Sequence, residues 1–355
     1  MLPVAMLKSM RHALPLLAPM SLLMAWYLAS HMSPHSALVN YWMFWPIVST
    51  FGLLTVIDYA CGKSDRQPSL EVDEALTRLW PLLAVPVQLS LIGLGIHMLQ
   101  TLSLSTLGVV GLCVSVGLLT GILGITTAHE LIHKSTKLEA TAGGFLLSTV
   151  CYASFKVEHI YGHHVTVSTP QDASSARLWQ SVYTFVPQAI ARNFFNAWRL
   201  AGLQAQRRGH CLWQSELVGW SLCSLAMLSI CYVVAGWLGV VFFLGQSLVA
   251  ITELEIINYI EHYGLRRKQL ADGKYERVRP VHSWNSSYWF TNLVLFQLQR
   301  HSDHHAIASR RYSQLQHHEE APQLPGGYGA MILLALIPPL WFRIIHPRLP
   351  HDHIE

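Results

Sequence analysis

The sequence predicts an all-α integral membrane protein, with six transmembrane helices and a cytoplasmic, histidine-rich metal cap. Three observations predict it. Of 355 residues, 52% are hydrophobic and only 12% are charged, whereas a soluble domain carries roughly 25% charged residues. Three stretches lack Asp, Glu, Lys and Arg altogether: 46 residues over 12–57, 51 over 79–129 and 36 over 217–252. Twenty histidines accompany them, nine gathered in four short clusters. Nucleic-acid binding is excluded, because the net charge of +4 comes without a basic block dense enough to neutralise a run of phosphates.

A helix needs about 20 apolar residues to cross the hydrocarbon core, so each charge-free run holds two spans joined by a turn. The predicted spans are 13–32 and 38–58, 79–99 and 105–128, and 217–235 and 237–257. Break signals stand at Ser33-Pro34-His35, at Gln100 to Ser105 and at Ala235-Gly236. Lys8 and Arg11 ahead of the first run imitate a signal peptide, but no A-x-A-like cleavage site follows, so this run reads as the first span. The apolar stretch 142–155 is too short to cross and is expected to return to the side it left. The segment 331–343, with Pro338-Pro339, reads as interfacial. All 24 Lys and Arg fall outside the three turns, so the positive-inside rule places segments 61–78, 129–216 and 258–330 on the cytoplasmic side of the membrane. The six cysteines form no C-x-x-C pair and read as reduced packing residues in a single domain, 1–355.

The clusters are His129-Glu130-Leu131-Ile132-His133, Glu158-His159-Ile160-Tyr161-Gly162-His163-His164, Glu261-His262-Tyr263-Gly264 and His301-Ser302-Asp303-His304-His305. Histidines at i and i+4 share a helix face, so His129/His133, His159/His163 and His301/His305 can each point two imidazoles into one space. Adjacent His163 and His164 diverge by about 100° on a helix and can serve different ions. Nine imidazoles exceed the ligand positions of one metal, so a two-metal site is the economical reading, and imidazole suits Zn, Cu, Fe and Ni. Metal-bound histidines usually give their other N–H to an acceptor, which makes Glu130, Glu158, Glu261 and Asp303 candidates to orient or ligate. His129 to His133 also matches the H-E-x-x-H zinc-protease signature, but that reading leaves three clusters unexplained. A metal transporter is the other alternative, although no ionisable residue marks a path through the middle of the spans.

Four segments, His129 to Lys134, Glu158 to His164, NYIEHYG at 258–264 and LQRHSDHHA at 298–306, resemble the alkane 1-monooxygenases, as do Thr169-Pro170-x-Asp172 and His282-Ser283-Trp284-Asn285-Ser286. The likeness covers most of the chain from Asp58 to Pro347. It implies a non-haem di-iron centre of two Fe ions that uses O2 to turn the terminal methyl of an alkane into a primary alcohol. The implied ligands are His129, His133, His159, His163, His164, His262, His301, His304 and His305, with His282 assisting nearby. A di-iron fatty-acyl hydroxylase or desaturase is the neighbouring alternative. In relatives a bulky residue about two turns before the aspartate matching Asp58 limits chain length; Thr50 stands there, beside Phe51, which implies a longer channel. The resemblance further implies electrons from a separate rubredoxin and its NAD(P)H-dependent rubredoxin reductase, at the bacterial inner membrane. Arg207, Arg208, Arg266, Arg267, Lys268, Arg310 and Arg311 are the cations expected to attract an acidic carrier.

Overall fold

The computed structural model describes residues 4–68 and 72–350; residues 69–71 of the expected 61–78 segment lie outside that range. Among the described residues the regular structure is helical, with only isolated β-bridges such as Lys63–Tyr288. Three helices are long and apolar enough to cross a membrane: α3 (Glu74–Thr101), α4 (Thr106–Leu131) and α7 (Glu216–His262). Four are, if the bent pair α1 (Ala5–Leu17 and Pro19–Ser30) is one span.

The first two expected spans are thus broken where the sequence places proline, which lacks an N–H and cannot complete the helical ladder. The two pieces of α1 meet at 44° between Leu17 and Pro19. The stretch expected at 38–58 divides into Leu38–Trp42 and α2 (Trp45–Cys61), with Pro46 in the opening turn of the second piece. Helix α3 begins cleanly because the Asp73 side chain accepts from the Leu76 N–H at 3.0 Å, satisfying one orphan donor of the first turn. Thr136 Oγ1 accepts from the Glu139 N–H at 3.3 Å and donates to Glu139 Oε2 at 2.6 Å at the start of α5 (Lys137–Ser148), and Ser181 Oγ accepts from the Thr184 N–H at 3.4 Å at the start of α6 (Val182–Arg207).

The 47 residues of α7 are continuous except at Gly236, whose φ of 60° is left-handed, a region that glycine enters without steric cost. The chain doubles back there. Trp220 O accepts from Ser148 Oγ at 3.1 Å, and Gln246 Nε2 donates to the adjacent Thr149 O at 3.1 Å. A straight helix would separate Trp220 from Gln246 by about 39 Å.

Helix α4 is the centre of the assembly. Its most apolar window is 83% buried, against 39% in α3 and 22% in α7. Neighbours approach closely because its surface is built from small residues: a Cβ at Gly117 would lie 2.6 Å from Gln246 O. Polar contacts pin the contact surfaces, with Thr120 donating to Gln246 Oε1 at 2.8 Å and Gln88 to Thr149 Oγ1 at 3.1 Å. Outward-facing residues such as Val233 and Trp237 are exposed and apolar, as a hydrocarbon surrounding requires. A second core, around Trp284, Tyr259, Tyr263 and Trp341, underlies the cap. The segment read as interfacial forms Tyr328–Ala335 and Pro338–Ile345, broken before Pro338, and packs its Trp341 into that core.

Candidate metal centre

The nine clustered histidines meet at the C-terminal end of α4. Two sets of four place one ligand atom each within 4.8 Å of the others: His129, His133, His159 and His304 in one, His163, His262, His301 and His305 in the other. His164 lies between them. Its Nε2 is 3.0 Å from His159 Nε2 and 3.1 Å from His304 Nε2, while its ring centroid is 4.5 Å from that of His305.

This division corrects the expected pairing in one cluster. His129 and His133 share a set, as do His301 and His305, but His159 and His163 fall in different sets. The reason is local. His159–His163 forms a π-helical turn, whose wider winding aligns residues i and i+5. His159 therefore meets His164, and His163 turns to His305, with the two Nε2 atoms 3.2 Å apart.

The donor set fits metal ions. Nitrogen pairs stand at 2.9 Å (His301/His305) and 3.1 Å (His262/His301), close to the spacing of about 3.0 Å for two ligands at right angles around an ion with bonds of about 2.1 Å. His129 Nε2 and His133 Nε2 are buried without a hydrogen-bond partner, an arrangement that coordination would satisfy. Burial, followed by the Lys134 charge, pushes His133 down to about 3. Burial and neighbouring histidines hold His164, His301, His304 and His305 well below the ordinary imidazole value. They are thus neutral donors, the form that binds metal.

Of the four carboxylates adjacent in sequence, three bond groups other than the nine histidines. Glu130 pairs with Lys134 at 2.9 Å and accepts from Tyr312 N; Glu158 accepts from Asn196 at 3.0 Å. Burial and then Asp172 push Glu158 up to about 7. Asp303 takes both of its 2.6 Å contacts from Arg310 and a third from His318. Glu261 alone of the four contacts one of the nine histidines, with Oε2 3.2 Å from His301 Nε2 and Oε1 accepting from Tyr328 Oη at 2.7 Å. Side-chain orientation at His163 comes instead from Asp172, which accepts from Nδ1 at 3.0 and 3.1 Å and so leaves Nε2 to face the set. Burial opposes a proton on His163, but Asp172 and then Glu158 outweigh it and raise its affinity. Asp172 is itself fixed by Ser175 Oγ and Ser174 N. His282 serves through its backbone, since its carbonyl accepts from His262 Nδ1 at 3.4 Å while its side chain faces Glu276. Asp172 was visible only as part of the Thr169-Pro170-x-Asp172 motif, with no spacing rule to tie it to His163.

Three apolar clefts with shared walls run from α2 towards the histidines. Thr50 and Phe51 line the outermost. Ile122, Glu253, Ile257 and Leu295 belong to it and to the next. Thr126, Leu295 and Leu298 connect that one to an inner pocket bounded by His129 and His304.

Of the seven expected docking cations, Arg207, Arg208 and Lys268 are exposed and Arg266 is half-buried. Three have partners that the structure defines: Arg310 pairs with Asp303, Arg311 with Glu139 at 2.8 Å, and Arg267 donates to the carbonyls of Glu276 and Val165.

An all-helical, membrane-type chain with a paired histidine centre defines the class, and residues 105–335 match the family model described as fatty acid desaturase. Within that class, the chain is 48% identical over 90% of its length to alkane 1-monooxygenase 1 of Pseudomonas aeruginosa, covering 86% of it. It is 46% identical over 91% of its length to alkane 1-monooxygenase 2 of Alcanivorax borkumensis, covering 89%. At 27% identity over 87% of its length it matches the xylene/toluene monooxygenase hydroxylase component of Pseudomonas putida. The chain belongs to the alkane 1-monooxygenase family.

Proposed function

We propose that the protein hydroxylates the terminal methyl of alkanes to 1-alkanols, consuming O2, two electrons and two protons and releasing water. The observation that carries this reading is an apolar series of clefts ending at His129 and His304, on the edge of a nine-histidine centre. Two iron ions held by the two sets would supply the oxygen-activating redox chemistry. The protein supplies the rest. An alkane has no polar handle, so it is held by burial at about 0.8 kcal/mol per CH₂. Ile122, Leu295 and Leu298 confine the chain so that its end, not its middle, reaches the histidines, and positioning sets regioselectivity. Asp172 and the His282 carbonyl hold the tautomers of His163 and His262, and Tyr328 steadies Glu261.

In this reading the three hairpins give six spans, the centre faces the cytoplasm beneath the inner membrane, and reduced rubredoxin, recharged by an NAD(P)H-dependent reductase, delivers the electrons. Arg207, Arg208 and Lys268, exposed at the surface, are the cations placed to attract it. The test is metal analysis of purified protein followed by turnover of a mid-length alkane under ¹⁸O₂. About two irons per chain and labelled 1-alkanol are expected. One zinc and no alcohol would overturn the reading, and an acyl substrate desaturated without oxygen incorporation would replace it with the desaturase chemistry.

A further inference from the structure

Two carboxylates stand two residues apart on α7 in opposite circumstances. Glu255 is bonded to Tyr152, Asn193 and Asn258. Glu253 makes no hydrogen bond or ion pair among the described residues, and its Oε2 is buried without a partner. It lies on the shared wall of the two outer apolar clefts, among Ile122, Ile257 and Leu295. The fold makes room for it: a Cβ on Gly121 would collide with Glu253 Oε2, and Gly121 opens the π-helical turn Gly121–Ile125 of α4. A buried polar group left unpaired is costly, whereas a hydroxyl can pair with a carboxyl group in either protonation state.

We infer that Glu253 is a specificity-determining residue of the hydrocarbon path, penalising plain alkyl chains long enough to cover it and favouring chains that present a hydroxyl at its depth. Two helices give that depth independently. Glu253 precedes His262 by nine residues and its neighbour Gly121 precedes His129 by eight, which is about 12–14 Å along either axis. With carbon–carbon bonds of about 1.5 Å in a zigzag, this corresponds to roughly ten carbons from the oxidised end. The ligand class is thus a medium-chain primary alcohol bound hydroxyl-outward. Its far methyl is then hydroxylated to an α,ω-diol with the same O2, two electrons and two protons as the alkane reaction.

The inference rests on the alkane hydroxylase reading, and two measurements separate them. The first is the ratio of kcat/KM for tetradecane to that for octane, and for 1-decanol to decane, in wild type, Glu253→Leu and Glu253→Gln. The second is the thermal upshift of each purified protein on adding decane or 1-decanol, which needs no turnover. Glu253→Leu is expected to raise the tetradecane/octane ratio and lower the decanol/decane ratio, each roughly tenfold for one exchanged hydrogen bond. It should also erase the extra upshift given by the alcohol, and Glu253→Gln, which retains a hydrogen-bonding amide, should keep most of it. Unchanged ratios and upshifts in Glu253→Leu would overturn the inference. Wild type that turns over neither alkane nor alcohol would overturn the hydroxylase reading instead, with the alcohol-specific upshift still deciding the role of Glu253.

Discussion

The two histidine sets are built differently. His163, His262, His301 and His305 are all buried, and protein groups act on three of them: Asp172 on His163, the His282 carbonyl on His262, and Glu261, held by Tyr328, on His301. The other set has a partly exposed member, His133; its two orphaned nitrogens are the Nε2 atoms of His129 and His133, where those of the first set are the Nδ1 atoms of His301 and His305, and its His129 and His304 close the inner end of the apolar clefts. One set is gripped by the scaffold; the other borders the apolar clefts, which in the proposed reading admit the substrate. A centre that must both hold metal and admit a chain divides the tasks, because groups that fix a ligand from behind also fill the space a substrate would use.

This asymmetry can be broken at several strengths. The largest effect is expected from His262→Ala, which should lower bound iron and reduce alkane turnover by at least about a thousandfold, because ligands that act as a unit fail together; elemental analysis and product yield read it. Retention of full iron would remove His262 from the centre. Next is Asp172→Asn, expected to cost ten- to a hundredfold in resistance of the iron to chelation. Glu158→Gln, which alters a carboxylate that bonds Asn196 and no histidine, should cost far less in the same chelator titration; equal losses would remove the distinction between the two residues. Thr50→Trp acts at the far end of the clefts and should shift the alkane profile several carbons shorter without changing metal content, as seen by gas chromatography of products from hexane to hexadecane. A profile that stays in place would separate Thr50 from the substrate path. The smallest effect is expected from Tyr328→Phe, which removes one hydrogen bond to Glu261 and should lower turnover by a few-fold, matching about 1 kcal/mol.

The nine histidines were legible because repeated spacing at the ends of charge-free runs is a local property of the chain. Their division into two sets was not, because the i/i+4 rule assumes α-winding and the chain winds as a π-turn at His159–His163. Three of the four expected carboxylates, Glu130, Glu158 and Asp303, bond groups other than the nine histidines for a related reason. A residue next to a histidine on a helix points about 100° away from it, so Glu130 reaches Lys134 and Asp303 reaches Arg310, while the group that does hold His163 arrives from a loop. The hairpin at Gly236 was legible from Ala235-Gly236, whereas the breaks in the first two spans depend on how the proline-bearing pieces pack against α3 and α4.

By itself the sequence determined what the solvent partition dictates: helices where charge is missing, and metal donors where histidines recur. Those follow from transfer free energies and helical periodicity, which each segment carries alone. Only the tertiary structure decided which histidine joins which set, that Asp172 holds His163, that Arg310 and Arg311 are occupied by internal ion pairs, and that Glu253 is left alone beside the path. None of those follows from helical spacing: each depends on whether the folded chain brings a partner to within about 3 Å, as a loop does for His163 and for Asp303 and as nothing among the described residues does for Glu253 Oε2.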